Sequence, residues 1–164
     1  MKKMKTLLLM RHAKSSWDDD SVSDHDRPLN TRGERSAPQM AALLVREALV
    51  PELILSSTAL RARATALAVA EACQWKPELR LRHELYLAEP DAIVAEIARA
   101  PDAVDHLLVV GHNPGLEDLL SDLSLVRQDL PTAAVACFRC KLTRWSEVDR
   151  RHVELVRVYR PKDE

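Results

Sequence analysis

Arg11 and His12 stand together directly after an apolar run, Leu7-Leu8-Leu9-Met10. A second histidine, His112, follows another such run, Leu107-Leu108-Val109-Val110, across one glycine. A third run, Leu53-Ile54-Leu55, ends in Ser56-Ser57 and leads to Arg61. An imidazole can accept a phosphoryl group, and arginine forks match phosphoryl oxygens in geometry and charge. Two histidines and two arginines, with helix N-termini adding N–H donors, would form a pocket for a dianion. The chemistry would be two in-line transfers. His12 attacks phosphorus and the leaving group departs; water then attacks the phosphoenzyme. The transition state is loose, so catalysis would rest on positioning and charge stabilisation. A neutral His12 is needed for attack, whereas a protonated His112 would serve better as a donor. Their surroundings would have to hold the two rings in different protonation states.

Each cluster needs an element to place it. Leu7–Met10 reads as a strand buried on both faces, and ligands of open α/β sheets bind at the carboxyl ends of such strands. Leu53–Ser56 and His106–Val110 read the same way. A helix is expected to about Leu49, with Thr31 and Glu34 spaced as a capping box, Asn30 as the competing N-cap, and Pro51 as the stop. Ala59 to about Cys73 reads as a second helix, with Thr58 as a cap and Arg61 and Arg63 in its first turn, where cations are unfavourable. Leu79–Arg82 alternates as a third strand, followed by a loop over His83–Tyr86. Further helices are expected from Pro90 to about Ala100 and from Leu116 to about Leu123. Ala134–Leu142 and Val153–Tyr159 read as a closing hairpin, with Trp145 and Ser146–Arg151 in its turn. The alternation implies a single α/β domain over residues 1–164. It would be a three-layer sandwich with a mostly parallel central sheet and helices on both faces. All three glycines, Gly33, Gly111 and Gly115, fall within or beside the candidate loops, which suggests specialised backbone there.

Composition narrows the function. The chain has 164 residues, 30% of them charged, and a formal net charge of −1, so no global field draws in nucleic acid or an acidic membrane surface. No apolar run reaches the roughly 20 residues of a membrane span. The basic start, Met1-Lys2-Lys3-Met4, precedes an apolar run, but polar residues follow without a small-residue cleavage site. A signal peptide is therefore rejected and a cytoplasmic location expected, with Met1 or Met4 as the start. Cys137 and Cys140 form C-x-x-C, yet residues three apart on a strand point to opposite faces. No second pair completes a zinc site, so inert buried thiols are expected.

The ordered set Arg11-His12-Ala13-Lys14-Ser15-Ser16-Trp17, Arg27-Pro28-Leu29, Arg32-Gly33, Ser56-Ser57 with Arg61-Ala62 and Thr65, and Gly111-His112-Asn113-Pro114-Gly115 resembles the histidine phosphatase superfamily. That superfamily includes the cofactor-dependent phosphoglycerate mutases. The Arg-His-Ala start, small size and His-Asn-Pro-Gly look most like its SixA-type phosphohistidine phosphatase branch. The resemblance implies a phosphoglycerate mutase-like fold and a phosphatase needing no metal or other cofactor. It implies His12 as nucleophile, Arg11 and Arg61 as phosphoryl ligands, and His112 as the second pocket histidine on the same oxygens. Glu84 falls where the mutase-like branch places its proton donor. Two departures stand out. Ala13 replaces the frequent glycine, and Asn113 follows His112 where phytase-like relatives carry their acid. A missing acid fits an N-phosphorylated substrate, because imidazole protonated by solvent leaves more readily than an alkoxide.

The expected substrate is therefore a phosphohistidine on a partner protein, such as a phosphorelay histidine domain. The alternatives are a phosphomonoesterase acting on a small metabolite and a non-catalytic phosphate-binding module. A mutase is disfavoured because a short chain leaves little room for substrate-enclosing insertions. A monomer is expected, since no long apolar stripe is left over. Lys14 and Arg63 read as solvated charges, and Asp24-His25-Asp26 as charged loop rather than a metal site. Trp17 either lines the pocket mouth or packs its loop. His83, His106 and His152 have no chemical context.

Overall fold

A computed structural model describes residues 3–162, so Met1 and Lys2 of the basic start lie outside the described residues. Six strands, β1 (Lys3–Arg11), β2 (Leu53–Ser57), β3 (Glu78–Arg82), β4 (His106–Gly111), β5 (Val135–Leu142) and β6 (Val153–Tyr159), form one sheet in the order β3-β2-β4-β1-β5-β6. The β1–β4, β2–β4 and β2–β3 pairs are parallel, while β1–β5 and β5–β6 are antiparallel. The expected closing hairpin thus extends a parallel half-sheet. Among the described residues, no helix is long and apolar enough to cross a membrane.

The apolar runs are buried on both faces, as their composition requires. Leu7 and Leu9 face one core, with Ile93 and Ile97 of α3 (Pro90–Ala98) and Leu116, Leu119 and Leu120 of α4 (Gly115–Ser124). Leu8 and Met10 face the other, with Met40 and Leu44 of α1 (Thr31–Arg46) and Ala62, Ala66 and Val69 of α2 (Leu60–Ala72). The two-residue alternation of a strand thereby supports a helical layer on each side. Cys137 and Cys140 fall into opposite cores, so they cannot act as a pair. Burial raises both thiols, Cys140 to about 12.

Several local expectations are corrected. Asn30 caps α1, its side chain accepting from Gly33 N at 2.8 Å, so the Thr31–Glu34 box is not used. Thr58 does not cap α2; the hydroxyl that receives Ala59 N is that of Ser57. His83–Leu85 is a short 3-10 turn rather than an irregular loop. Trp145 lies in its turn as expected, yet it is fully buried, its indole donating to Val104 O at 2.9 Å.

The glycines are specialised through close approach, since none has positive φ. A Cβ on Gly33 would lie 2.1 Å from Lys14 O, and one on Gly115 would lie 1.9 Å from Ala88 O. Gly111 is different, because an added Cβ would meet only the Leu116 side chain, at 3.7 Å. Gly115→Ala must push two backbones apart and is expected to cost about 3 kcal/mol or more. Gly111→Ala should cost far less. Urea midpoints of the two variants check this, and equal midpoints would refute the packing reading.

Candidate active site

The parallel half of the sheet brings the three strand ends to one rim. Met10 pairs with Val110, Val110 with Ser56, and Arg11 with Gly111, so Arg11-His12, Ser57 and His112 emerge side by side. Arg61, in the first turn of α2, reaches the same point. Its Nε donates to His12 Nε2 at 3.3 Å, and its Nη2 lies 3.4 Å from His112 Nδ1. The two imidazole centroids are 5.2 Å apart. His12, Arg61 and His112 are all buried, and Arg11 lines the same cleft.

Hydrogen bonds set the histidine tautomers. His12 Nδ1 sits 2.7 Å from Ala13 O. A carbonyl only accepts, so Nδ1 carries the proton and Nε2 keeps its lone pair toward the cleft. Ala13 N in turn donates to Thr65 Oγ1 at 2.9 Å, which pins this backbone to α2. His112 Nδ1 accepts from Arg61, which leaves Nε2–H to donate to Ser57 Oγ at 2.8 Å. Both rings are neutral at pH 7. Burial, then the guanidinium charges of Arg61, Arg11 and Arg27, lower His12 to about 4, against the opposing bond to Ala13 O. Burial, then His12 and Arg61, lower His112 to about 3. The expectation of two rings in different protonation states is therefore corrected: surrounding cations and lost water oppose a charge on His112 as they do on His12.

The counter-charge comes from Asp24. Arg61 donates from Nη1 to Asp24 O at 2.6 Å and from Nη2 to Asp24 Oδ2 at 3.1 Å. Arg27 reaches Asp24 Oδ1 at 3.2 Å and Ser15 Oγ at 2.7 Å, and the Tyr86 hydroxyl donates to Asp24 Oδ2. Burial alone would raise this carboxyl, but the bonds from Tyr86, Arg61 and Arg27 outweigh it and hold Asp24 at about 2. Tyr86 also meets the His112 ring edge-on at 5.5 Å. Asp24 and Tyr86 carried no role in the sequence reading. The first lies in a charged stretch without periodicity, and the second beside an unremarkable turn. Arg27 was marked only by its place in the Arg-Pro-Leu motif.

Glu84 is not brought into the site. Its side chain is 54% exposed and 3.5 Å from Arg82, and it does not line the cleft. Its own backbone N–H and then Arg82 lower its pKa, the wrong direction for an acid. Among the described residues no group of three or more His, Cys, Asp or Glu side chains is placed to hold an ion. His25 Nε2 pairs with Thr58 Oγ1 at 2.8 Å. Trp17 lines the cleft mouth, 73% exposed, with the Arg27 guanidinium 3.5 Å from its ring centroid. Lys14 lines the cleft as well, whereas Arg63 does not.

The depressed histidines make folding pH-dependent. In the unfolded chain they bind protons near pH 6.5, but in the folded chain only near 4 and 3. Between these limits the unfolded state binds more protons, so stability is full above about 6.5 and falls as pH drops toward 4. The loss between pH 7 and pH 5 is about 2 kcal/mol for each histidine. Urea titrations should show this loss in the wild type and a smaller one in His112→Gln. Equal losses would contradict it.

Fold and site together define an α/β protein with paired histidines and arginines at the carboxyl ends of parallel strands. Residues 7–91 match the family model of the histidine phosphatase superfamily (branch 1). An uncharacterized protein of Mycobacterium tuberculosis (strain H37Rv) is 35% identical over 164 residues, covering 93% of this chain and all of the relative. A protein of Nakamurella multipartitia, provisionally named phosphohistidine phosphatase SixA, has a solved structure that superposes with a TM-score of 0.85 at 29% identity, covering 98% of each chain. A protein of Agrobacterium tumefaciens with the same provisional name gives 0.81 at 29% identity, covering 96% of this chain and 98% of the other. This chain belongs to the histidine phosphatase superfamily, in its SixA-type branch.

Proposed function

We propose that this protein is a metal-independent phosphatase that works through a phosphohistidine on His12 and acts on protein phosphohistidine. The observation that carries the reading is the Nδ1–H bond from His12 to Ala13 O. It presents an unprotonated Nε2 to the cleft in a ring held neutral down to about pH 4. Nε2 bonds to phosphorus as the bond to the substrate nitrogen breaks, and the departing imidazole takes a proton from solvent. Water then attacks phosphorus, the Nε2–P bond breaks, and inorganic phosphate leaves. Arg11 and Arg61 stabilise the equatorial oxygens. His112 takes up a proton beside a phosphoryl dianion, whose negative charge opposes the cations that depress its pKa, and donates to the phosphoryl group.

The placement of Glu84 outside the cleft supports an N–P substrate, since such a bond makes the smaller demand on a general acid. Two of the similar solved structures carry the provisional name phosphohistidine phosphatase, which agrees. A second reading, a small-molecule phosphomonoesterase, is favoured by the cleft volume of about 690 Å³, which lies in the range of small-ligand sites. The test is kcat/KM, with chelator present, for a phosphohistidine peptide against an aryl phosphate. A large preference for the peptide is the expected result. Equal or better turnover of the ester would transfer the assignment to the second reading.

A further inference from the structure

The inner pocket does not account for the charge on the cleft walls. Six cationic side chains line the cleft against one carboxylate, Asp24, in a protein whose formal net charge is −1. Asp24 is already engaged by Arg61 and Arg27, and a phosphoryl dianion would be met by Arg11, Arg61 and the histidines. Three cations remain: Lys14 just after β1, Arg32 in the first turn of α1, and Arg160 just after β6. Among the described residues, none of the three makes an ion pair or side-chain hydrogen bond. They come from three separate stretches of chain and reach the same cleft. Arg32 does so from a helix N-terminus, where a cation is locally unfavourable. All three are exposed, so they form the outer part of the cleft, beyond the buried histidines. Clustered charge of one sign in a cleft focuses the field on an incoming anion.

We infer that this outer cleft is a second anion subsite, and that the true substrate carries a further carboxylate or phosphate beside the phosphoryl group to be removed. The inference rests on the phosphatase reading and narrows its substrate class. The shared chemistry is a second anionic group. Its source is either an acidic residue flanking the phosphorylated side chain of a protein or a second acidic group on a metabolite. The cleft, at about 690 Å³, has room for either beyond one phosphoryl group.

Two matched pairs of probes separate the sources. One is a phosphohistidine peptide with aspartate or serine flanks; the other is phenyl phosphate with or without a ring carboxylate. The readout is the ratio of kcat/KM, acidic over neutral, for wild type and the Arg32→Gln/Arg160→Gln double variant. The wild-type ratio is expected to be about 10 or more in at least one pair, mainly through KM, and to fall toward 1 in the variant and in high salt. A preference confined to the peptides identifies an acidic protein partner; one confined to the aryl phosphates identifies a small dianionic or trianionic metabolite. Wild-type turnover of neutral and acidic probes at equal efficiency would overturn the second subsite alone, as would a ratio the variant leaves unchanged. Absence of turnover with every probe would remove the phosphatase reading and this inference with it.

Discussion

His12→Asn is expected to lower kcat/KM by roughly 10,000-fold, the scale seen when a covalent nucleophile is deleted from a site that keeps its binding groups. Asn preserves a polar side chain of similar reach but has no nitrogen lone pair that can take a phosphoryl group. The loss should fall on kcat, because Arg11, Arg61 and His112 still bind the oxygens. Rapid quench of wild type into alkaline detergent with a labelled substrate should trap base-stable, acid-labile phosphate on the protein, and His12→Asn should trap none. A variant that keeps within about tenfold of wild-type turnover would show that the phosphoryl group passes directly to water. The fold should survive this change, and stability at low pH should improve, because the substitution removes a base held neutral by burial.

Arg61→Ala is the second large effect, an expected loss of about 1,000-fold or more, in line with other arginines that stabilise a transferring phosphoryl group. The side chain holds several partners at once: His12 Nε2, His112 Nδ1, and both the carbonyl and the carboxylate of Asp24. Arg61→Lys should restore little, since an ammonium cannot reproduce the planar fork. The pH profile provides a second readout. The Arg61 charge helps depress His12, so its removal lets the imidazole pKa rise from about 4 toward 6.5. The acid limb of kcat/KM that reports on His12 therefore moves to higher pH. An activity loss without that displacement would mean that Arg61 serves only to hold the Asp24 loop. Asp24→Asn should act in the opposite electrostatic sense, lowering His112 further, because the carboxylate raises it.

Much of this was readable from residue order. An apolar run that stops at a reactive pair marks a buried strand and its carboxyl end, because an all-apolar strand must be covered on both faces. This identified Leu7–Met10 before Arg11-His12, Leu107–Val110 before His112, and Leu53–Leu55 before Ser57. The alternation of strands and helices implied the layered sheet, and the opposite faces of Cys137 and Cys140 followed from strand periodicity alone. The sequence by itself thus determined the class of fold and the four pocket residues His12, Arg11, Arg61 and His112, since these depend on local pattern and side-chain chemistry.

The tertiary structure decided what depends on contacts between distant segments. Asp24 meets Arg61 across 37 positions and Tyr86 across 62, and no local pattern in a charged loop announces either contact. Glu84 has the right chemistry for an acid, but the direction of a side chain on a short 3-10 turn is set by its surroundings, here the pull of Arg82. The protonation state of His112 is likewise collective, fixed by burial and the cations around it rather than by its neighbours in the chain. Lys14, Arg32 and Arg160 look like ordinary surface charges along the sequence. Only the strand order, which sets β1 and β4 side by side and brings β6 in through β5, gathers them on one cleft, because charge acts through space and not along the chain.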